Sequence, residues 1–332
     1  MEMTGNDVLF LGVDIGGTKV AAGLVDASGK IICKARAPMN AHGTAEEGLA
    51  SVLTAMRDAM KQGQSAQPGF KLGGVGICSP GPLDPRTGVV INPPNLPCWR
   101  DFPLAARVSS EFGVPALVEN DANAAGLAES IWGSGSGYQT VFYATLGTGI
   151  GTGLVMDGRI YNGRTGAATE GGHVTIDWRG PKCGCGKHGC IEVLASGPAI
   201  ALRARAKVAA DAKRGAPLLK AALNSLEKIQ AEHVAIQWRA GDPLAKEILT
   251  ETMDYLVVWL GNIIDLLEPD VIVIGGGIGQ LASEWFDYIR AKLPAWIIIK
   301  RGIEIPIVLA RYVADSGIAG AAALCLASQP KA

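Results

Sequence analysis

The stretch Glu170 to Glu192, EGGHVTIDWRGPKCGCGKHGCIE, sets two histidines and three cysteines between two glutamates, in a chain with four His and seven Cys in all. Cys183, Cys185 and Cys190, with His173 ten residues ahead of the first, are four donors of the kind that close a tetrahedral zinc site. Gly184, Gly186 and Gly189 let a short loop fold tightly enough to aim three thiolates at one point. The spacing is neither that of a two-helix finger nor that of a C-x-x-C redox pair. His188 is an alternative fourth ligand, but the Cys185 to Cys190 turn would have to point it inward, so His173 is preferred. A reduced, Gly-rich surface loop is the bland reading of the same residues. Structural zinc needs no carboxylate on either side, so Glu170 and Glu192 read as acceptors of hydrogen bonds from a polar ligand that the loop holds in place.

A second kind of chemistry is written in glycine turns. The apolar run VLFLGVD ends at Asp14 and turns through IGGTK, where Gly16 and Gly17 let backbone amides approach an anion and Thr18 and Lys19 add a hydroxyl and a charge. No G-x-x-x-x-G-K-[ST] is present, so this is not a Walker A loop. The unit recurs in VFYATLGTGIGTGLVMDGRIYNG, with Gly17, Thr18, Gly23, Leu24 and Val25 falling on Gly147, Thr148, Gly153, Leu154 and Val155. Two such hairpins predict a duplicated fold with a cleft between the copies, each supplying a loop to one polyphosphate. Asp14 has Ala144 as its counterpart, and an acidic residue in one copy only suits a water-mediated magnesium contact. A third approach point is the strand EPDVIVI running into Gly275, Gly276 and Gly277; without G-x-G-x-x-G it does not read as a dinucleotide site.

The elements that carry these residues alternate as in an α/β protein. The first three strands form an antiparallel meander through the ASGK turn, and Ala45 to Gln62 reads as an amphipathic helix with Leu49, Val52, Leu53, Met56 and Met60 on one face. INPPNLPCWRDFP is too proline-rich for regular structure and is a candidate binding loop, with Asn95 and Trp99 its residues of interest, Trp99 more often a packing anchor. VPALVE is a buried strand followed at once by NDANAAGLAESIWG, an Ala-rich helix stopping at Gly133. Asn120 and Asp121 therefore lie where a strand ends and a helix begins, as ligand sites do in open α/β sheets; either residue could instead serve only as an N-cap. The helix dipole favours the anionic form of Asp121, ready to accept a proton.

Composition limits the alternatives. With 332 residues, 48% hydrophobic, 18% charged and 44 glycines, the chain is long enough for two domains and too apolar to be disordered. Its net charge of -1 leaves no footprint for nucleic acid, and the basic run Arg203 to Arg214 reads as the solvated face of a helix. The longest apolar stretch, Tyr255 to Ile274, is interrupted by Asn262, Asp265, Glu268, Pro269 and Asp270, which argues against a membrane span. No basic n-region or cleavage site precedes the first strand, and the irregular cysteines suit a reducing, cytoplasmic compartment.

Taken together, DIGGTK at 14–19, ENDANAAGLAE at 119–129, LGTGIGTG at 146–153, EGGH at 170–173, CGCGKHGCIE at 183–192 and VIGGG at 273–277 resemble the ROK family of sugar kinases and repressors, within the actin-like ATPase superfamily, and above all its bacterial ATP-dependent glucokinases. The resemblance implies an α/β, ribonuclease H-like duplicated fold, with a small domain of 1–119 plus 315–332 and a large domain of 120–314 that contains the zinc loop 173–190. It implies that Asp121 is the base for the sugar's 6-hydroxyl, and that Asn120, Glu170, His173 and Glu192 grip the other hydroxyls, with His173 binding structural Zn2+ through one ring nitrogen and sugar through the other. Asp14 would hold Mg2+, Gly16, Gly17, Thr18, Thr148 and Gly149 would cradle the phosphates of ATP, and Gly275 to Gly277 would lie by the adenosine. The family also implies homodimers, with a dimer of dimers as the alternative. Glucose is the expected hexose. Mannose, fructose, N-acetylglucosamine and N-acetylmannosamine stay open, as does polyphosphate in place of ATP. A repressor would carry a helix-turn-helix of some tens of residues, where about seven precede the first strand, and a non-catalytic sugar sensor would need neither Asp121 nor two Gly-Thr turns.

Overall fold

The structure is a computed structural model and describes residues 8–329; the seven residues ahead of the first strand, on which the helix-turn-helix and leader expectations rest, lie outside the described residues. The chain opens with β1 (Val8–Ile15), β2 (Lys19–Asp26) and β3 (Ile31–Pro38), then α1 (Ala45–Ala66), β4 (Lys71–Ser79), the short pair β5 (Leu83–Asp84) and β6 (Val89–Val90), α2 (Leu104–Phe112), β7 (Ala116–Asn120) and α3 (Asp121–Ile131). Next come β8 (Thr140–Leu146), β9 (Ile150–Met156) and β10 (Arg159–Ile160), followed by seven helices: α4 (Ile191–Ala195), α5 (Gly197–Ala210), α6 (Ala216–Ala221), α7 (Ala231–Arg239), α8 (Pro243–Leu267) and, after β11 (Val271–Gly275), α9 (Gly277–Ser283) and α10 (Phe286–Lys292). The chain closes with β12 (Ile307–Leu309) and α11 (Ser316–Ala327).

The duplication expected from the repeated hairpin extends to whole sheets. One has the order β3-β2-β1-β4-β7 and the other β10-β9-β8-β11-β12, so each copy is a meander with two further strands added beside its first. In the first sheet β4 lies parallel to β1 and β7 parallel to β4; in the second β12 lies parallel to β11. The class is therefore α/β, as the alternation of elements predicts.

Alternation in β1 sorts the first core. Leu9, Leu11, Val13 and Ile15 join Leu49, Val52 and Met56 of α1 in one buried cluster, while Phe10 joins Ile318 and Ala322 of α11 in another. α1 starts on a capping box, in which Thr44 and Glu47 satisfy each other's backbone amides, and runs one turn past the expected Gln62. α11 presses onto the other face because small residues allow it: a Cβ on Gly76 of β4 would meet the Ala321 carbonyl at 1.7 Å. That contact requires glycine.

The chain divides into two compact units. One runs to Tyr143 and takes in Gly153–Thr169 and the chain from Ala310; the other comprises Ala144–Thr152 and Glu170–Leu309, so the boundaries fall within β8 and β9. This division departs from the expected split at 119/120 and 314/315. The physical reason is α3, which packs along α11 so closely that a Cβ on Gly320 would lie 2.6 Å from the carbonyl carbon of Ala124. The basic run also departs from expectation. α5 ends at Ala210, and Arg203 is largely enclosed, donating to Thr252 Oγ1 and the Leu194 carbonyl, while Lys207 lies between Glu247 and Glu251. No described helix is long and apolar enough to cross a membrane.

Candidate functional site

In the first unit the site is built where β7 becomes α3. Asn120 is the N-cap of α3: its Oδ1 accepts from the amides of Ala122 and Asn123 at 3.0 and 3.3 Å. The cap reading thus holds for Asn120, and what its side chain has left to offer a ligand is the amide N–H. Asp121 is the first helical residue, and its Oδ1 accepts from the Ala122 amide at 2.8 Å. Its surface stays open to solvent, yet the protein around it desolvates the carboxyl and raises it above the usual carboxylate range. A group can be touched by a small molecule and still be poorly hydrated. The helix dipole was expected to favour the anion, and burial outweighs it.

Asp14 is the penultimate residue of β1, on the α11 face. Burial first, then the Asp121 charge, raise its carboxyl to about 6, against the lowering effect of Lys19. Two carboxylates that repel each other in partly desolvated surroundings are a setting for a cation. Beneath them Cys78 is fully buried and donates to the Gly317 carbonyl at 3.3 Å, with burial and then Asp14, Asp121 and Glu119 holding its thiol well above the usual range. A Cβ on Gly317 would lie 2.4 Å from the Asp14 carboxyl carbon. Gly→Ala within a helix ordinarily gains about 0.5–1 kcal/mol. Gly317→Ala is expected to do the opposite, lowering the melting temperature and activity by displacing Asp14; a more stable, fully active variant would contradict that packing.

The turn after β1 closes with the Gly16 amide donating to the Lys19 carbonyl at 2.9 Å, and Thr18 and Lys19 are exposed. Asn95 is exposed on the proline-rich loop beside Gly17, whose added Cβ would stand 2.9 Å from the Asn95 carbonyl oxygen. Trp99 is a packing anchor, 1% exposed and stacked on Phe102 at 5.2 Å.

The second unit gathers the remaining candidates. The turn between β8 and β9 holds Thr148 and Gly149, and Glu192 Oε2 accepts from the Ile150 amide at 3.0 Å. A Cβ on Gly149 would be 2.6 Å from that oxygen, so glycine there is what lets Glu192 lie against the turn. Glu170 is exposed, and the short helical turn after it is pinned from two sides: the Gly171 amide donates to Thr152 Oγ1 at 2.8 Å and buried Trp259 of α8 donates to the Gly171 carbonyl at 3.0 Å. Neither Thr152 nor Trp259 was signalled by the sequence. His173 Nδ1 lies 3.6 Å from Cys183 Sγ and 3.9 Å from Glu192 Oε1.

His173, Cys183, Cys185 and Cys190 bring their donor atoms within 4.8 Å of one another, and His188 is outside this group. Cys185 and Cys190 sulfurs are 3.7 Å apart. Four ligands on a tetrahedron with metal–sulfur bonds of about 2.3 Å stand about 3.8 Å apart, so the spacing fits zinc. The donor chemistry fits as well. Burial, then hydrogen bonds with Cys185 and Cys183, push the Cys190 thiol up to about 12, and a divalent cation is what would let closely spaced sulfurs act together as thiolates. Cys190 also occupies the N-cap position of α4, without a side-chain capping bond, and Glu192 stands on its first turn.

A cavity of about 730 Å³ lies wholly within the second unit, lined among others by Thr148, Gly197, Gln230, Ile236, Gly277 and Leu281. Gly275 ends β11, Gly276 takes φ +81° between strand and helix, and Gly277 begins α9. The α7 wall of this cavity was missed, because nothing in AEHVAIQWR distinguishes a cavity lining from an ordinary amphipathic helix.

A model of the ROK family matches residues 10–328. Glucokinase of Thermotoga maritima is 34% identical over 317 residues, which are 95% of this chain and 96% of that one. N-acetylmannosamine kinase of Salmonella typhi is 29% identical over 317 residues, 95% of this chain and 97% of that one. Among solved structures, a ROK family glucokinase from Streptomyces griseus in complex with glucose and AMPPNP is 34% identical, with a TM-score of 0.79 over 95% of this chain and 98% of that one.

Proposed function

The chain belongs to the ROK family, and on that premise we propose that it transfers the γ-phosphoryl group of ATP to the 6-hydroxyl of a hexose, glucose before others. The observation that carries the reading is Asp121, a solvent-accessible carboxylate with raised proton affinity at the start of α3, beside a second carboxylate suited to a cation. Phosphoryl transfer asks for positioning, charge neutralisation and an oriented nucleophile, and the residues divide among those tasks.

Asp121 takes the proton of the attacking hydroxyl. The Asn120 amide N–H donates to the sugar, Glu170 and Glu192 accept from its hydroxyls, and the ring nitrogen of His173 that faces away from Cys183 completes the grip, with Asn95 at its margin. Gly16, Gly17, Thr18, Lys19, Thr148 and Gly149 present amides, hydroxyls and one ammonium to the phosphates. The cavity beside Gly275, Gly276 and Gly277 is of a size for adenosine. Asp14 holds Mg2+, which when bound neutralises phosphate charge, and His173, Cys183, Cys185 and Cys190 hold Zn2+, which supplies folding energy to the loop.

The pH dependence follows from Asp14. Its carboxyl keeps a proton up to about 6 in the folded chain and only to 3.8 as a free group. The folded state therefore takes up a proton that the unfolded state lacks between those values. The metal-free protein gains stability, relative to neutral pH, as pH falls from about 6 towards 3.8, and that gain is absent above 6. Mg2+ competes with the same proton. The rise in melting temperature on adding Mg2+ and nucleotide is expected to be full above about pH 7 and to shrink as pH falls through about 6; a rise independent of pH would take Asp14 out of the contact.

Glucose is favoured by the two glucokinases, each 34% identical; a second reading, an N-acetylhexosamine kinase, is supported by the N-acetylmannosamine kinase at 29%. Purified, zinc-loaded protein assayed with Mg-ATP and with polyphosphate across hexoses, fructose and N-acetylhexosamines separates them. Preference for glucose with ATP is the expected result. Preference for an acetylated sugar keeps the mechanism and changes the substrate, and folded protein that binds sugar without transfer would mark a sensor.

A further inference from the structure

Glu119, the residue before Asn120, is 3% exposed, yet three N–H groups converge on its carboxylate. Oε1 accepts from the Asn120 amide at 2.8 Å and from Asn123 Nδ2 at 3.2 Å, and Oε2 accepts from Asn162 Nδ2 at 3.0 Å. Asn123 is itself 3% exposed, and its Oδ1 accepts from Thr169 Oγ1 at 3.1 Å. All of these residues belong to the first unit. The carboxylate thus ties together the end of β7, the first turn of α3 and the segment from Asn162 to Thr169, and its bond to the Asn120 amide grips the Glu119–Asn120 peptide link, one link before Asp121.

Every partner of Glu119 is a donor, so the charged form is the one that fits. Burial nevertheless raises its carboxyl, against the lowering effect of the Asn120, Asn123 and Asn162 bonds. A neutral side chain of the same shape would spare that desolvation. An amide of the same shape would keep one acceptor oxygen but turn an N–H toward a donor, so the costly charge is understandable as what holds all three donors in place. A cavity of about 270 Å³ reaches the same group, lined among others by Arg86, Glu119, Arg159 and Asn162.

We infer that Glu119 is a positioning residue for phosphoryl transfer: its buried carboxylate fixes the β7–α3 junction, and through the Asn120 amide fixes where Asp121 stands. The inference rests on the base role proposed for Asp121. A misplacement of about 1 Å in a catalytic group can cost on the order of a hundredfold in rate.

The test uses the full chain with Glu119→Gln, Glu119→Ala and Asp121→Asn beside wild type. Glu119→Gln is expected to lower kcat tenfold or more, with sugar KM within about twofold and melting temperature within about 3 °C. Glu119→Ala is expected to lose more, and to regain activity with formate, which is small enough to enter the cavity and restore a carboxylate. Unchanged kcat in both Glu119 variants, while Asp121→Asn is inactive, overturns the positioning role and leaves the base role intact. Parallel loss of kcat, KM and melting temperature without rescue by formate overturns it in favour of a structural role. Should wild type transfer to no sugar, the base role fails, and amide exchange decides the geometric claim: faster exchange confined to residues 120–123 in Glu119→Gln supports the grip, and unchanged exchange ends it.

Discussion

Asp121→Asn is expected to lower kcat by roughly 10²–10⁴-fold, the usual worth of a general base, while sugar affinity stays within about twofold. The substitution is a narrow one. Asparagine keeps an oxygen for the Ala122 amide, and the cap of α3 belongs to Asn120, so neither the helix start nor its first hydrogen bonds depend on the lost charge. What disappears is a proton acceptor. The variant is expected to fold at least as well as wild type, since burial disfavours the Asp121 charge and that charge in turn helps to raise Asp14. With it gone, the Asp14 carboxyl is expected to titrate lower, so Mg2+ should stabilise the variant to a more acid pH than it does the wild type. Rapid-quench transfer, sugar titration and melting curves with and without Mg2+ read these separately. Equal turnover would remove Asp121 as the base, and loss of sugar binding in step with turnover would make it a binding residue.

The framework was legible because it repeats. Five identities at one offset between residues 17–25 and 147–155 foretold two hairpins, and the structure extends that likeness to two sheets of matching strand order. The four-donor cluster was legible because cysteines at that spacing in Gly-rich sequence have few other uses, and His173 rather than His188 completes it. What escaped were contacts whose partners stand far apart in the chain and carry no signature. Trp259 reads as one more apolar residue of a long helix, yet its indole N–H holds the Gly171 carbonyl 88 residues away. Arg203 reads as a solvated charge because its neighbours are basic, but Thr252 and the Leu194 carbonyl enclose it. For Asp121 the local argument, a helix dipole favouring the anion, was sound in kind and too small in size. Desolvation comes from every surrounding segment, so a local window of sequence cannot weigh it.

Loss of zinc should act on sugar binding through Glu192 rather than on the phosphoryl step. Cys190 is both a candidate ligand and the residue directly ahead of α4, and Glu192 follows on that helix's first turn, against the Ile150 amide. His173 joins the same cluster through Nδ1. A metal centred among these donors would therefore fix the start of α4 and the orientation of the imidazole together, with a folding contribution on the order of 10 kcal/mol by analogy with small zinc modules. Cys185→Ser is the variant to make, because Cys185 is exposed and its replacement leaves no cavity. Zinc content is expected to fall from one per chain to near zero. Sugar KM is expected to rise about tenfold to a hundredfold, the worth of one charge-assisted hydrogen bond at about 1.5–3 kcal/mol. The kcat at saturating sugar should fall less, because Asp121 and Asp14 take their surroundings from β1, β7 and α3. Chelator treatment of the wild type should reproduce the change, and added zinc should reverse it there but not in the variant. Full zinc content with unchanged affinity would reject the ligand set. Zinc lost with affinity unchanged would keep the metal and detach Glu192 and His173 from it, leaving the loop a local staple with no part in holding the sugar.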